Sequence, residues 1–252
     1  MKMGFLSKKI VHDKDANDTL RTINDDSPFA VKEAFKALYT NILYLNIEDK
    51  CKKIAITSAV SGEGKTFVST NLALTLAQNS ADFKVLLIDT DMRQPRVSAL
   101  LEMGNDAHGL SEYLAGIDEK PNFLYIPDKK LTVLSAGANN VNPTKLIASR
   151  RMGELIRVCE EEFDYIIIDT PPVNIVSDAI LLNESINGYI LATRADYSDV
   201  KSVSEAVSRL NQINAEIYGV VLSSVNLKPI SYGSLNGKHS ASKYGKYTDD
   251  RR

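Results

Sequence analysis

Apolar and polar positions along the chain alternate between two periods. Short apolar runs rich in β-branched residues occur at 54–57, 83–88, 165–168, 189–192 and 217–222, with shorter ones at 124–126 and 131–134. Runs apolar on both faces fit strands of a parallel sheet covered by helices on each side. Between them lie stretches whose apolar residues recur at helical spacing. At 29–45, Phe29, Val31, Phe35, Leu38, Ile42 and Leu45 favour one face. There Ser27-Pro28 reads as the start, with Ser27 as N-cap and Pro28 at the first helical position. Residues 67–78 and 152–163 are helical by the same reading, Asn142-Pro143 opens a further helix, and Ser198 caps one running to about Leu210. This alternation predicts a doubly wound α/β fold with a mostly parallel sheet in a single domain.

Periodicity fails at both ends. Residues 1–27 are polar and mixed in charge, which predicts a flexible arm ahead of a domain at 28–227. Residues 228–252 are dominated by Ser, Gly and Lys, which predicts a flexible tail. That tail carries Tyr232, Tyr244 and Tyr247, a residue type uncommon where rings cannot be buried.

The first strand runs into AVSGEGKT at 59–66, and a helix follows. Strand, glycine loop, Lys-Thr and helix form the phosphate-binding P-loop, or Walker A, arrangement. Ser61, Gly62, Glu63, Gly64, Lys65 and Thr66 are the candidate ATP-binding residues. Backbone N–H groups would turn inward around phosphate oxygens, with the helix N-terminus adding partial positive charge. Lys65 would reach the β- and γ-phosphates, and the Thr66 hydroxyl would ligate Mg²⁺. Ala59 stands where the first glycine is usual.

Two further segments converge on the same end of the sheet. Asp169, after the run at 165–168, fits the Walker B role beside Mg²⁺. Asp89 and Asp91, in IDTDMR, supply a second acidic pair. Thr66, Asp89 and Asp169 are therefore the candidate metal-side groups. Lys65, Asp89 and Asp91 are the candidate catalytic residues, Asp91 orienting a phenol and taking its proton late. Arg93 would organise Asp91 or touch the acceptor.

Composition removes some classes. With 252 residues, 44% apolar, and a net charge of −2, nothing draws the chain toward nucleic acid or anionic lipid. The two cysteines, Cys51 and Cys159, lack metal or redox spacing and read as reduced thiols. The apolar run at the start is too short for a signal peptide, and no run approaches the ~20 residues of a membrane span. No direct membrane insertion is expected.

With these residues in view, the chain resembles the bacterial tyrosine kinases of capsule and exopolysaccharide systems, in particular the stand-alone cytoplasmic kinase of Gram-positive bacteria. Asp89-Thr90-Asp91-Met92-Arg93 followed by Pro95 looks like that family's second Walker motif, A′. Residues 109–116 and 135–149 look like its intervening signatures, Asp169-Thr170-Pro171-Pro172 like its Walker B, and the tail tyrosines like its autophosphorylation cluster. Ser61 sits where those kinases often have Pro. The helix at 33–39 looks like their oligomerisation motif, Glu-x-x-Arg-x-x-Arg, but with Lys36 and Tyr39 in place of the arginines.

The resemblance implies an ATP- and Mg²⁺-dependent protein-tyrosine kinase that phosphorylates Tyr232, Tyr244 and Tyr247 on a neighbouring subunit and regulates polysaccharide synthesis and export. It further implies a homo-oligomer, other protein tyrosine substrates, and a transmembrane modulator that holds a cytoplasmic enzyme at the inner face of the plasma membrane. The alternative is a partitioning or septum-site ATPase switch without tyrosine phosphorylation. Those ATPases carry a signature lysine where this chain has Val60, which argues against membership. A scaffold that has lost catalysis is disfavoured by the intact Lys65, Thr66, Asp89, Asp91 and Asp169.

Overall fold

The computed structural model describes residues 22–24, 27–45, 47–80, 82–104, 107–138 and 142–225. Among them, seven strands form one sheet: β1 (Lys52–Ser58), β2 (Val85–Asp89), β3 (Leu124–Ile126), β4 (Leu131–Leu134), β5 (Tyr165–Asp169), β6 (Gly188–Arg194) and β7 (Ile217–Ser223). Their order across the sheet is β3-β4-β2-β5-β1-β6-β7. All neighbours run parallel except β3, which lies antiparallel on β4 at one edge. The helices are α1 (Phe29–Leu43), α2 (Lys65–Asn79), α3 (Val97–Leu100), α4 (Leu110–Ala115), α5 (Pro143–Ile147), α6 (Arg150–Glu162) and α7 (Val200–Gln212). The expected doubly wound, mostly parallel α/β sheet is present.

The apolar runs form central strands because both faces are covered. Along β1, Ile54 and Ile56 enter the core on the side of α2, while Ala55 enters the core on the other side. On β5, Tyr165 and Ile167 join the first core and Ile166 and Ile168 the second. The first core is closed by Val68, Leu72 and Leu76 of α2 and by Ile42 of α1. The second takes Met152, Leu155, Ile156 and Cys159 of α6 and Ala206 and Leu210 of α7. Helix α2 is buried on almost every side, since the sheet lies beneath it and α1 above it. Phe35 of α1 meets Phe67 of α2 edge-on, with ring centroids 5.7 Å apart.

Three expected boundaries shift. Helix α1 starts one residue later than expected: Pro28 occupies the cap position, and no side chain among the described residues caps the helix. The Ser27 hydroxyl instead faces Asn24, accepting from its backbone N–H at 3.0 Å. Helix α1 also ends at Leu43, where the Lys52 ammonium donates to the carbonyls of Ile42 and Leu43 at 3.3 and 3.2 Å. A cation on orphan carbonyls at a helix C-terminus is the favourable placement. The cap of α7 is Asp199, whose carboxylate accepts from Ser202 N at 2.9 Å, rather than Ser198. Asn142 does cap α5 as expected, accepting from Lys145 N. Within the segment read as a loose arm, Ile23 N donates to the buried Asn71 Oδ1 at 2.7 Å, so this part is tied to α2.

The winding reverses beside β1. The chain passes from β1 toward β2 on one side and from β5 toward β6 on the other. In such sheets the crevice at the carboxyl ends of the strands, at this reversal, is where ligands bind. Asp169 ends β5 there, in register with Ile56 of β1 on one side and Asp89 of β2 on the other.

Candidate functional site

The carboxyl end of β1 turns through residues 59–64 into α2. Gly62 and Gly64 have φ of +84° and +89°, the left-handed region that favours glycine. Ala59 is absent from the positive-φ positions, so the missing first glycine creates no left-handed strain. Lys65 is the first residue of α2, which puts its side chain and the free N–H groups of the helix start at one place.

Four side chains singled out in the sequence meet here. Lys65 Nζ lies 2.6 Å from Asp91 Oδ2. The Thr66 hydroxyl donates to Asp169 Oδ2 at 2.7 Å. Asp89 stands beside Asp169 across the β2–β5 pair, but its two oxygens accept from Asp91 N and Val97 N, at 3.0 and 3.2 Å. Asp89 therefore shapes the A′ loop, and its oxygens turn inward to that loop. Neighbouring threonines lock the strand ends together. Thr90 Oγ1 donates to the Asp169 carbonyl at 2.7 Å, Thr170 Oγ1 to the Ile56 carbonyl at 3.0 Å, and Thr57 Oγ1 to the Pro171 carbonyl at 3.0 Å.

The electrostatics are lopsided. Burial raises the Asp169 carboxyl to about 6, with Lys65 and the Thr66 hydrogen bond working the other way. Asp89 is pushed well above the carboxylate range, first by burial and then by the Asp169 charge beside it. Burial disfavours the Lys65 ammonium, yet Asp169 and Asp91 outweigh this and hold its pKa above the usual value. Three acidic side chains thus crowd one ammonium in a buried site. Asp169 Oδ1 is buried with no hydrogen-bond partner among the described residues. An orphaned carboxylate oxygen beside a threonine hydroxyl and excess negative charge fits a hard divalent cation. Among the described residues no three His, Cys, Asp or Glu side chains gather into an all-protein metal cage. Mg²⁺ in phosphate sites needs only one or two carboxylates, with phosphate and water completing the shell.

Two expected placements differ. The Glu63 side chain is buried and turned away from the cradle; its carboxylate accepts from Val60 N at 2.8 Å and from the Ser198 hydroxyl. Only its backbone N–H remains to face an anion. Arg93 does not reach Asp91. Its Nε donates to the buried Asp178 at 3.1 Å and its Nη2 to Thr144 Oγ1 at 2.8 Å, while Thr144 donates to Asp178 at 2.6 Å. Sequence reasoning did not single out Asp178, Arg194, Tyr197 or Ser223. The last three contact the P-loop from β6, the loop after it and β7, and no local motif marks them. Tyr232, Tyr244 and Tyr247 lie outside the described residues. No helix among the described residues is long and apolar enough to cross a membrane.

Comparisons with known proteins agree with this geometry. A family model described as ParA, NUBPL iron-transfer P-loop NTPase, matches residues 50–236. The chain is 35% identical over 222 residues to Tyrosine-protein kinase CpsD of Streptococcus agalactiae, covering 88% of this chain and 93% of that one. It is 32% identical to the putative tyrosine-protein kinase CapB of Staphylococcus aureus, over 84% of this chain and 91% of the relative. Among solved structures, the kinase domain of the Escherichia coli tyrosine kinase ETK superposes with a TM-score of 0.72 at 32% identity, covering 89% of each chain. The ParA model describes the wider P-loop NTPase family, while the relatives at 32–35% identity named above are tyrosine-protein kinases, in line with Val60 standing where the partitioning ATPases carry a signature lysine.

Proposed function

The chain belongs to the ParA-type P-loop NTPases and, within them, to the bacterial tyrosine-protein kinases, and from this premise we propose that it transfers the γ-phosphoryl group of ATP to tyrosines of its own C-terminal tail. A nucleotide site follows from the family. The use of ATP, the tail acceptors Tyr232, Tyr244 and Tyr247, and the residue roles below belong to the proposal.

The observation that carries it is the pair of contacts made by consecutive residues of α2, Lys65 with Asp91 and Thr66 with Asp169. Phosphoryl transfer needs positioning and charge neutralisation more than covalent help. The N–H groups of 62–66 would cradle the phosphates. Lys65 would exchange Asp91 for the β- and γ-phosphate oxygens when nucleotide enters. Asp91, released, would face the incoming tyrosine, orient its hydroxyl, and take the proton as the phenolic oxygen bonds to the γ-phosphorus and ADP leaves. Thr66 and Asp169 would hold Mg²⁺, with Asp89 fixing the loop that carries Asp91. When bound, Mg²⁺ would supply neutralisation of the phosphate charge. The acceptor tyrosines would come from a neighbouring subunit. Each phosphate adds about −1.5 to −2 charge, so a phosphorylated tail would repel its neighbours and favour dissociation.

The relatives' names give a tyrosine-protein kinase and no more. That the chain regulates polysaccharide synthesis and export, with a transmembrane modulator as the activating partner that holds the enzyme at the inner face of the plasma membrane, is our proposal from the motif resemblance at 89–95 and 169–172. Intact-mass measurement and peptide mapping of the full chain after incubation with ATP and Mg²⁺, alone and with the modulator's cytoplasmic segment, test the reading. Phosphate on Tyr232, Tyr244 or Tyr247 is expected. No tyrosine phosphate under either condition overturns it.

A further inference from the structure

Four successive carbonyls of the P-loop each accept a hydrogen bond from outside the loop. The Val60 carbonyl accepts from Ser58 Oγ at 2.8 Å, that of Ser61 from Tyr197 Oη at 3.0 Å, that of Gly62 from Arg194 Nη1 at 3.3 Å, and that of Glu63 from Ser223 Oγ at 3.0 Å. The fifth, of Gly64, accepts from Val68 N within α2. In a trans peptide the C=O and the following N–H point in opposite directions. Fixing the carbonyls of 60–63 outward therefore fixes the N–H groups of 61–64 toward the cradle.

Three of these four donors come from the β6–β7 side of β1: Arg194 at the end of β6, Tyr197 in the loop after it, and Ser223 at the end of β7. They pack directly on the glycines: a Cβ on Gly62 would sit 3.1 Å from Tyr197 Oη, and one on Gly64 3.1 Å from Ser223 Oγ. Arg194 also stands over the Tyr197 ring, 5.3 Å from its centroid. Beneath them, Ser198 Oγ accepts from Arg194 N at 2.8 Å and donates to the buried Glu63 carboxylate. The loop after β6 and the P-loop are thus joined by main chain and side chain together.

We propose that Tyr197, Arg194 and Ser223 are positioning residues that preorganise the P-loop amides for phosphate, acting through its carbonyls and not by touching nucleotide. The proposal rests on the nucleotide-site reading above and extends it. An anion nest whose amides must be reoriented on binding loses affinity to that ordering, whereas one held in place does not. Each neutral hydrogen bond contributes a net amount equivalent to roughly 2- to 10-fold in affinity. Arg194 also carries a charge near the phosphates, so the two uncharged donors give the cleaner test.

The experiment compares the full chain with Tyr197→Phe, Ser223→Ala, both together, and Ser223→Thr, which keeps the hydroxyl. Calorimetry reads affinity for ATP·Mg²⁺ and for inorganic pyrophosphate, which meets only the cradle. Thermal melting without ligand reads stability, and steady-state kinetics separate KM for ATP from kcat. Each deletion is expected to weaken both ligands roughly 2- to 10-fold, to raise KM more than it lowers kcat, and to leave the unliganded melting midpoint nearly in place. Ser223→Thr should restore binding. Native pyrophosphate affinity in the double variant overturns the proposal, as does a lowered melting midpoint with affinity unchanged. If the native chain binds ATP and pyrophosphate and the variants bind both as tightly, the brace alone fails; if the native chain binds neither ligand, the nucleotide site itself fails.

Discussion

Asp169 is where the requirements of the site and of the fold oppose each other most directly. Its carboxyl titrates at about 6 in the folded chain against an ordinary 3.8, chiefly because it is buried. Between those values the folded state holds the proton more tightly than the unfolded state does. The stability this group contributes is complete below the unfolded value and is lost as pH rises through about 6. At pH 7.5 the ionised carboxylate therefore opposes folding, by ~3 kcal/mol if the whole shift acts on stability. Asp169→Asn removes that charge while keeping an oxygen to accept from Thr66 Oγ1. It also gives up the attraction to Lys65 and puts a buried N–H₂ group at or near the position of the unpartnered oxygen, which leaves a net gain of ~1–2 kcal/mol. For a domain of this size that raises the melting midpoint by about 2–8 °C. Scanning calorimetry on both proteins without nucleotide or Mg²⁺, at pH 7.5 and pH 5, is the assay. The variant is expected to melt higher at pH 7.5, with the advantage shrinking toward pH 5, and to gain less than the native chain from added ATP·Mg²⁺. A variant that melts at or below the native chain at pH 7.5, or whose advantage is the same at both pH values, refutes the reasoning.

Other consequences follow from packing and burial. Gly109 lies so close to the chain at 135–137 that an added Cβ would sit 2.5 Å from both Ser135 O and Gly137 N. Gly109→Ala should cost about 2 kcal/mol or more, since backbone must move, read as a lowered urea midpoint; an unchanged midpoint would show that this contact is slack. Burial pushes both thiols, Cys51 and Cys159, up to about 12. Neither should react with a thiol-specific chromogen at pH 8 until urea unfolds the chain, and rapid native-state labelling of either would contradict their placement.

The strands were legible because each central run is apolar on both faces, and the P-loop because strand, glycines, Lys65-Thr66 and helix leave few other readings. The convergence of Asp89, Asp91 and Asp169 was legible too, since all three follow apolar runs and such sheets collect strand ends on one side. Legibility stopped where a side chain's partner lies far along the chain. Ser198 and Asp199 are both good N-cap types; Asp199 took the cap because the Ser198 hydroxyl is engaged by Glu63, 135 positions away. Glu63 reads locally as one more P-loop residue, and its burial depends on that same contact. Arg93 turned to Asp178, 85 positions on, because that buried carboxylate offered a partner that Asp91, already paired with Lys65, did not. The antiparallel pairing of β3 likewise follows from the short turn at Pro127–Lys129, too brief for a crossover to a parallel neighbour.

The central claim is that Lys65 and the acidic groups around it hand a phosphoryl group to a tyrosine of another copy of the chain. It is tested most directly by mixing two full-length variants, one with Lys65→Met and intact tail tyrosines, the other with Tyr232, Tyr244 and Tyr247 all changed to Phe. With ATP and Mg²⁺, and the modulator segment if required, peptide mapping should find phosphate on the tail of the Lys65→Met chain only in the mixture. Labelling of the Lys65→Met chain by itself, or no tail phosphate in a mixture under conditions where the native chain labels, would contradict the account.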